Sequence, residues 1–174
     1  MQVNGSVYLT NSLIVGDGDT VLGRGPAFFN DCELNSRSVY MWTRNTSANH
    51  GNVFLNCRFR AIGDSPVEIA RAPTNKGRDY PNAEVVLINC ALSGISPVGW
   101  GQVGADTSNI HYWEYNSTNL ADGKPVDVSR RHPVSRQLTM EKDAQVIANY
   151  SNPTWVLGGW TPALDPQMLI SPRR

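Results

Sequence analysis

A degenerate repeat in the first hundred residues constrains the fold of this chain more than any other feature. It reads VYLTNSLIVG (7–16), AFFNDCELNS (27–36), VFLNCRFRAIG (53–63) and VVLINCALSG (85–94). Each copy alternates apolar and polar residues over a short stretch and is closed by turn-forming residues, the pattern of a strand and its turn. A small residue sits near the centre of each copy: Ser12, Cys32, Cys57 and Cys90, spaced by 20, 25 and 33 positions. Recurrence at that interval is the period of a solenoid, in which each coil buries its inward face on its neighbours. Superposing the copies places those four residues at one inward position. The three cysteines are therefore expected to be small buried hydrophobes rather than disulfides or reactive thiols. Asn11, Asn56 and Asn89 precede three of them and are expected at coil corners or in side-chain ladders.

The remainder is organised differently. Residues 96–137 read as loops rich in Gly, Asp, Asn and aromatics. LTMEKDAQVIANY (138–150) carries a helix signal: Thr139 as N-cap, acids in the first turn, and Met140, Ala144, Ile147 and Ala148 near helical spacing. A Trp-rich tail, WVLGGWTPAL (155–164), follows. The expected architecture is a single all-β domain over 1–174. Coils occupy about 1–100, and loops, a short helix and the tail pack back onto them from about 101–174.

Bulk numbers exclude several function classes. Fifteen basic and fifteen acidic side chains cancel, so there is no basic excess to attract nucleic acid or an anionic membrane surface. No stretch approaches the roughly 18–20 apolar residues of a membrane span. MQVNGSVYLTNS has neither the basic nor the apolar segment of a signal peptide. Nothing near the cysteines has metal-ligand spacing, and no cofactor or metal is expected. His50, His111 and His132 are scattered without a partner pattern and read as surface residues; Trp113, Tyr115, Trp155 and Trp160 read as packing between the tail and the coils.

The sharpest local feature is GDGDTVLGRG (16–25). Asp17 and Asp19 stand at i and i+2, which in an extended strand puts both carboxylates on one side. The residues alone leave open a turn, an acidic cation loop or a catalytic carboxylate, although the later ligands of a calcium loop are missing.

With its continuation, GDGDTVLGRGPAFFNDCEL resembles the pectin methylesterase segment written G-x-V-D-F-I-F-G, an apolar run and N-C. That family consists of carbohydrate esterases on a right-handed parallel β-helix (solenoid), here with C-terminal loops and a short helix. EIARAPTN (68–75) stands where the family has L-G-R-P-W. HYWEYNSTNLADGKPVDVSRRHPVSRQLTMEKDAQVIANY followed by WVLGGWTP is similar to its C-terminal stretch, so the resemblance covers nearly the whole chain in order. It implies that Asp19 is the nucleophile and Arg71 the active-site arginine. Trp100 in VGWGQ, Leu22 and Asp17 are assigned to the substrate groove, Asp17 as a substitute acid or a turn residue.

In the family's chemistry a carboxylate attacks the methyl ester carbonyl of homogalacturonan, forming an acyl-enzyme anhydride that water hydrolyses. The arginine orients the carboxylate, donors hold the oxyanion, and a neutral carboxylic acid protonates methanol. Departures from the pattern are Ala72-Pro73 after Arg71, and Thr20 and Leu22 at aromatic positions. The family's Gln-Asp pair, oxyanion donor and general acid, would fall just ahead of Met1. The chain is therefore expected to be the C-terminal part of a longer, bacterial-type domain, with little esterase activity by itself. The implied partner is pectin, the implied location secreted, periplasmic or outer-membrane-associated, and the expected state a monomer. A β-helix module that binds acidic polysaccharide without catalysis, and an esterase or thioesterase with another acyl substrate, are the alternatives.

Overall fold

The computed structural model of the chain describes residues 1–163; Leu164 of the Trp-rich tail and the residues after it lie outside them. The chain enters through β1 (Gln2–Val3) and then winds in coils of three short strands. The first coil is β2 (Val7–Thr10), β3 (Leu13–Gly16) and β4 (Val21–Gly23); the second is β5 (Ala27–Asn30), β6 (Glu33–Ser36) and β7 (Met41–Thr43). The third is β8 (Asn52–Leu55), β9 (Arg58–Ala61) and β10 (Ala70–Arg71). The fourth has β11 (Glu84–Ile88) and β12 (Ala91–Ser93), and the fifth β13 (His111–Tyr115) and β14 (Thr118–Asn119), after which come β15 (Ser135–Gln137) and helices α1 (Met140–Tyr150) and α2 (Pro153–Val156). Corresponding strands stack in parallel into three sheets: β1-β4-β7-β10, β15-β13-β11-β8-β5-β2 and β14-β12-β9-β6-β3. The result is a parallel β-helix.

Each repeat copy is thus two strands meeting at a corner rather than one strand. The corner is made by Asn11, Asp31, Asn56, Asn89 and Asn116, whose φ values all lie between 50° and 55°. Asn and Asp tolerate this left-handed region because a short polar side chain bonds locally. Asn116 donates to Asn89 Oδ1 at 2.9 Å and Asn89 to Asn56 Oδ1 at 3.4 Å, an amide ladder across coils. The next residue turns inward and donates to the carbonyl two positions back: Ser12 to Thr10, Cys32 to Asn30, Cys57 to Leu55 and Cys90 to Ile88. All three cysteines are free and buried. The Asn116-Ser117 pair repeats the same signal, and it marks a fifth coil in a region that the sequence reads as loop.

Register follows the spacing of the repeat. Val7 pairs with Ala27, Ala27 with Asn52, and Val85 with both Asn52 and Tyr112. The longer coils place their extra residues in loops 44–51, 62–69 and 72–83, leaving the ladders unbroken. Inside the coils Phe29 stacks on Phe54 with ring centroids 4.4 Å apart, and Phe54 meets Phe59 edge-on.

β11 is buried on both faces, which is why its sequence EVVLI is continuously apolar after its first residue. Its outward side chains Val86 and Ile88, with Phe28 and Val53, are covered by Leu138, Ile147, Tyr150, Val156 and Leu157. Thr139 caps α1, its hydroxyl accepting from Lys142 N. The buried face of α1 is Asp143, Ile147 and Tyr150, whereas Met140, Ala144 and Ala148 face solvent. The face is rotated because Asp143 turns inward to Arg136 and to the Thr139 amide.

A buried carboxylate fastens this layer to the coils. Glu84, 4% exposed, accepts from His50 Nδ1 (3.0 Å) and Gly51 N (2.9 Å) on Oε1, and from His111 Nδ1 (2.8 Å) and the Tyr150 hydroxyl (2.6 Å) on Oε2. His50 and His111 are therefore half-buried partners of a carboxylate rather than free surface residues: Glu84 pairs in register with His111, and the loop before β8 delivers His50. Trp113 stacks on His111, and Trp155 packs against His50 and Tyr150, so these aromatics do join the tail to the coils. Burial pushes the Glu84 carboxyl up, but the hydrogen bonds from His111, His50 and Tyr150 outweigh it and bring the group down to about 2.

Two outcomes follow from this packing. A hydrogen bond with Cys32, reinforced by burial, pushes the Cys57 thiol up, and burial pushes Cys90 up to about 12. A thiol reagent should titrate three free thiols fully only after denaturation; a peptide map with a Cys32–Cys57 disulfide would overturn the ladder reading. The stabilisation from Glu84, whose carboxyl is depressed by folding, is complete above the ordinary glutamate value of 4.5 and is lost as pH falls towards about 2. Glu84→Gln should cost about 3 kcal/mol near neutral pH in denaturant melts, and the gap to the parent chain should narrow below pH 4. A constant gap down to pH 2 would contradict this linkage.

Candidate active site

The GDGDT segment starts on the last residue of β3 and then bends towards β4 rather than continuing as a strand. A Cβ on Gly16 would sit 2.3 Å from Thr20 Oγ1, so the turn closes only with glycine there. Thr20 is buried and shares a 2.9 Å hydrogen bond with Ser36 in the next coil. Asp19 takes φ 43° and its amide donates to Val39 O at 2.8 Å. The strand alternation that puts Asp17 and Asp19 on one side therefore does not apply. Asp17 pairs with Arg37 at 3.1 Å and its side chain is 90% exposed, which makes it a solvated turn residue.

Arg71 ends β10, two coils beyond Asp19. Parallel pairing aligns Gln2, Leu22, Trp42 and Arg71 as one outward row across β1, β4, β7 and β10. From that row Arg71 donates Nε to Asp19 Oδ1 at 3.0 Å and Nη2 to Asp19 Oδ2 at 2.6 Å. This is the two-pronged geometry in which a planar guanidinium matches a carboxylate. The side chains are 22% and 36% exposed for Asp19 and Arg71, so the carboxylate is oriented yet reachable. Hydrogen bonding to Asp19 raises the Arg71 guanidinium further still, keeping it charged.

Trp42 was missed by the sequence reading. Its indole lies under the Arg71 guanidinium at 5.1 Å and under Arg44 at 4.7 Å, a stacking that restrains both arginines. The signal was available: Trp42 follows Leu22 by the 20-residue length of the first coil. Leu22 lies half-buried beside it. Trp100 does not line this groove. It is 1% exposed and stacks on Tyr112 inside the coils at 4.7 Å. The turn at Gly99 (φ 72°) and the pairing of Gly101 N with Ala70 O aim it inward.

The Asp19–Arg71 pair lies on an open strip along the sheet. Three clefts among the described residues, of about 610, 470 and 180 Å³, include neither residue. A strip of this kind suits a long chain lying across the coils better than an enclosed small molecule.

No family model matches the chain. It is 30% identical over 119 residues to Probable pectinesterase/pectinesterase inhibitor 25 of Arabidopsis thaliana, covering 60% of this chain and 19% of that protein. Putative acyl-CoA thioester hydrolase YbhC of Escherichia coli is 33% identical over 93 residues, covering 49% of this chain and 21% of that one. The crystal structure of the pectin methylesterase from Aspergillus niger superposes with a TM-score of 0.65 at 25% identity, covering 89% of this chain and 48% of that one. The chain thus spans about a fifth of the curated relatives it matches and about half of the solved structure. With a right-handed parallel β-helix shared over nearly its whole length, the chain is similar to the pectinesterases in both sequence and fold.

Proposed function

We propose that Asp19 and Arg71 form part of the catalytic centre of a carboxylic ester hydrolase that demethylates methyl-esterified homogalacturonan. The observation that carries this reading is the two-pronged Arg71–Asp19 contact, assembled from residues 52 positions apart. An ionised carboxylate held through both oxygens, at the edge of an open groove flanked by Trp42, is equipped to attack an ester carbonyl. The bond from Asp19 to the acyl carbon forms as methoxide leaves with a proton; water then cleaves the anhydride and restores the carboxylate. Arg71 orients Asp19 and, with Arg44, supplies positive charge where an acidic polysaccharide would lie. The proton for methanol and the oxyanion donors belong to other groups, since Asp17 is engaged by Arg37. Trp42 takes the place of an aromatic platform that the sequence puts at Trp100. Action on a polysaccharide outside the cell implies a secreted protein, and no helix among the described residues is long and apolar enough to cross a membrane.

In the full-length protein, Asp19→Asn should lower methanol release from methylated pectin by at least about a thousandfold with the fold intact. Arg71→Lys, which keeps charge but loses one prong, should lower it roughly tenfold to a hundredfold, and Asp17→Asn by much less. Unchanged turnover in Asp19→Asn would remove it from the mechanism.

The likeness to the acyl-CoA thioester hydrolase favours a second reading, in which the same carboxylate attacks another acyl group. Leu22 and Pro73, half-buried where the resemblance puts aromatic rings, leave more room near Asp19 for a different acyl chain. A panel of methylated pectin, small esters and acyl thioesters separates the two. Pectin should give the highest kcat/KM, and a thioester turned over faster would replace it.

A further inference from the structure

A cleft of about 610 Å³ lies between the entry corner of the β2-β5-β8-β11-β13 sheet and the C-terminal helices, and neither Asp19 nor Arg71 lines it. Its long wall takes one residue from the start of each of five successive coils: Ser6, Pro26, His50, Glu84 and His111. Parallel coils about 4.8 Å apart make that wall roughly 19 Å long. On the helical side the cleft is bordered by Tyr150 and Trp155, which touch Glu84 and His50, and by the turn after α2. The volume falls in the range of sites that hold small molecules, and the shape is that of a short chain lying along the helix axis.

The lining limits what that chain can be. Among the described lining residues there is no Lys or Arg, so an anion would find no dedicated partner. The one carboxylate, Glu84, has both oxygens occupied by four donors, so it is not available to a cation. An ionised Glu84 only accepts, so each imidazole commits its Nδ1–H to it, which in the neutral ring leaves Nε2 as an acceptor. Asn82 and Asn109 add amides, which combine donor and acceptor. The Trp155 ring, 39% exposed, adds a flat apolar surface. Mixed donors and acceptors, no available charge and one aromatic face match a ligand with many hydroxyls on a ring whose C–H faces are apolar. We propose that this cleft is a second carbohydrate site, which binds an uncharged oligosaccharide along the axis of the β-helix. Sugar hydroxyls meet the asparagine amides and the imidazole Nε2 edges, and a sugar face packs on Trp155. Glu84 serves there as the group that fixes both imidazoles.

Calorimetric titration of the 1–174 protein with cellotetraose and β-1,4-galactotetraose tests this, with tetragalacturonic acid as the charged comparator. At least one neutral probe should bind saturably. Trp155→Ala and Asn82→Ala should each weaken it by about tenfold, while Asp19→Asn should leave it unchanged, so this result stands apart from the fate of the esterase reading. Circular dichroism melts accompany each variant, and Asn82→Ala and Trp155→Phe carry the test if Trp155→Ala fails to fold. The proposal is overturned if neither neutral probe binds, if binding survives the Asn82 and Trp155 substitutions, or if the charged tetramer shows the stronger Trp155-dependent binding.

Discussion

Everything in this molecule depends on the parallel backbone ladder between successive coils. Each strand is only two to five residues long, too short to be stable alone, and gains its hydrogen bonds entirely from the coils above and below. The left-handed Asn or Asp at each corner keeps that ladder in step. It bends the chain at the same place in every coil, so the inward row of Ser12, Cys32, Cys57 and Cys90 stays aligned despite coil lengths that vary from 20 to 33 residues. A slip of one residue would exchange the core face for the solvent face along a whole strand. Loop length can vary because it is added away from those corners.

The site inherits its precision from the same ladder. Asp19 sits in a turn forced by a close contact between Gly16 and Thr20, and Arg71 ends a strand two coils away. Nothing local relates them. In-register pairing through Val21, Met41 and Ala70 puts the two side chains within a charge-assisted hydrogen bond. Trp42 then restrains the arginine from beneath. A flat sheet of stacked strands also presents residues from several coils in a row, which suits a polymeric ligand.

What was legible in the sequence was the part governed by repetition. The inward cysteines, the asparagine corners, the Thr139 cap and the convergence of Asp19 with Arg71 could all be read from spacing or resemblance. The third strand of each coil was not, since β4, β7 and β10 are two or three residues long and carry no alternation to detect. The fifth coil was hidden because Trp113 and Tyr115, two of the three outward residues of β13, face the helical layer, so the polar outward pattern of an exposed strand is mostly missing. Trp100 was misplaced because a loop aromatic can turn either way, and the left-handed Gly99 that decides it is invisible in a string of letters. The Glu84 cluster was missed because its members come from four distant segments and meet only through tertiary packing.

The helical layer across the outer face of the long sheet has a consequence for how the molecule comes apart. A bare solenoid behaves as a one-dimensional chain of units, each coupled only to its neighbours, and can fray from either end. Here α1 and α2 rest on Phe28, Val53 and Val86 from three different coils at once, and Tyr150 reaches 66 residues back to Glu84. That layer couples coils that do not touch one another. Fraying of one end must then disturb the others, and the chain acquires the all-or-none cooperativity of a globular core. The cost is kinetic: the tying contacts are distant in sequence and close large loops, so the final docking of the helices should be a slow step of folding.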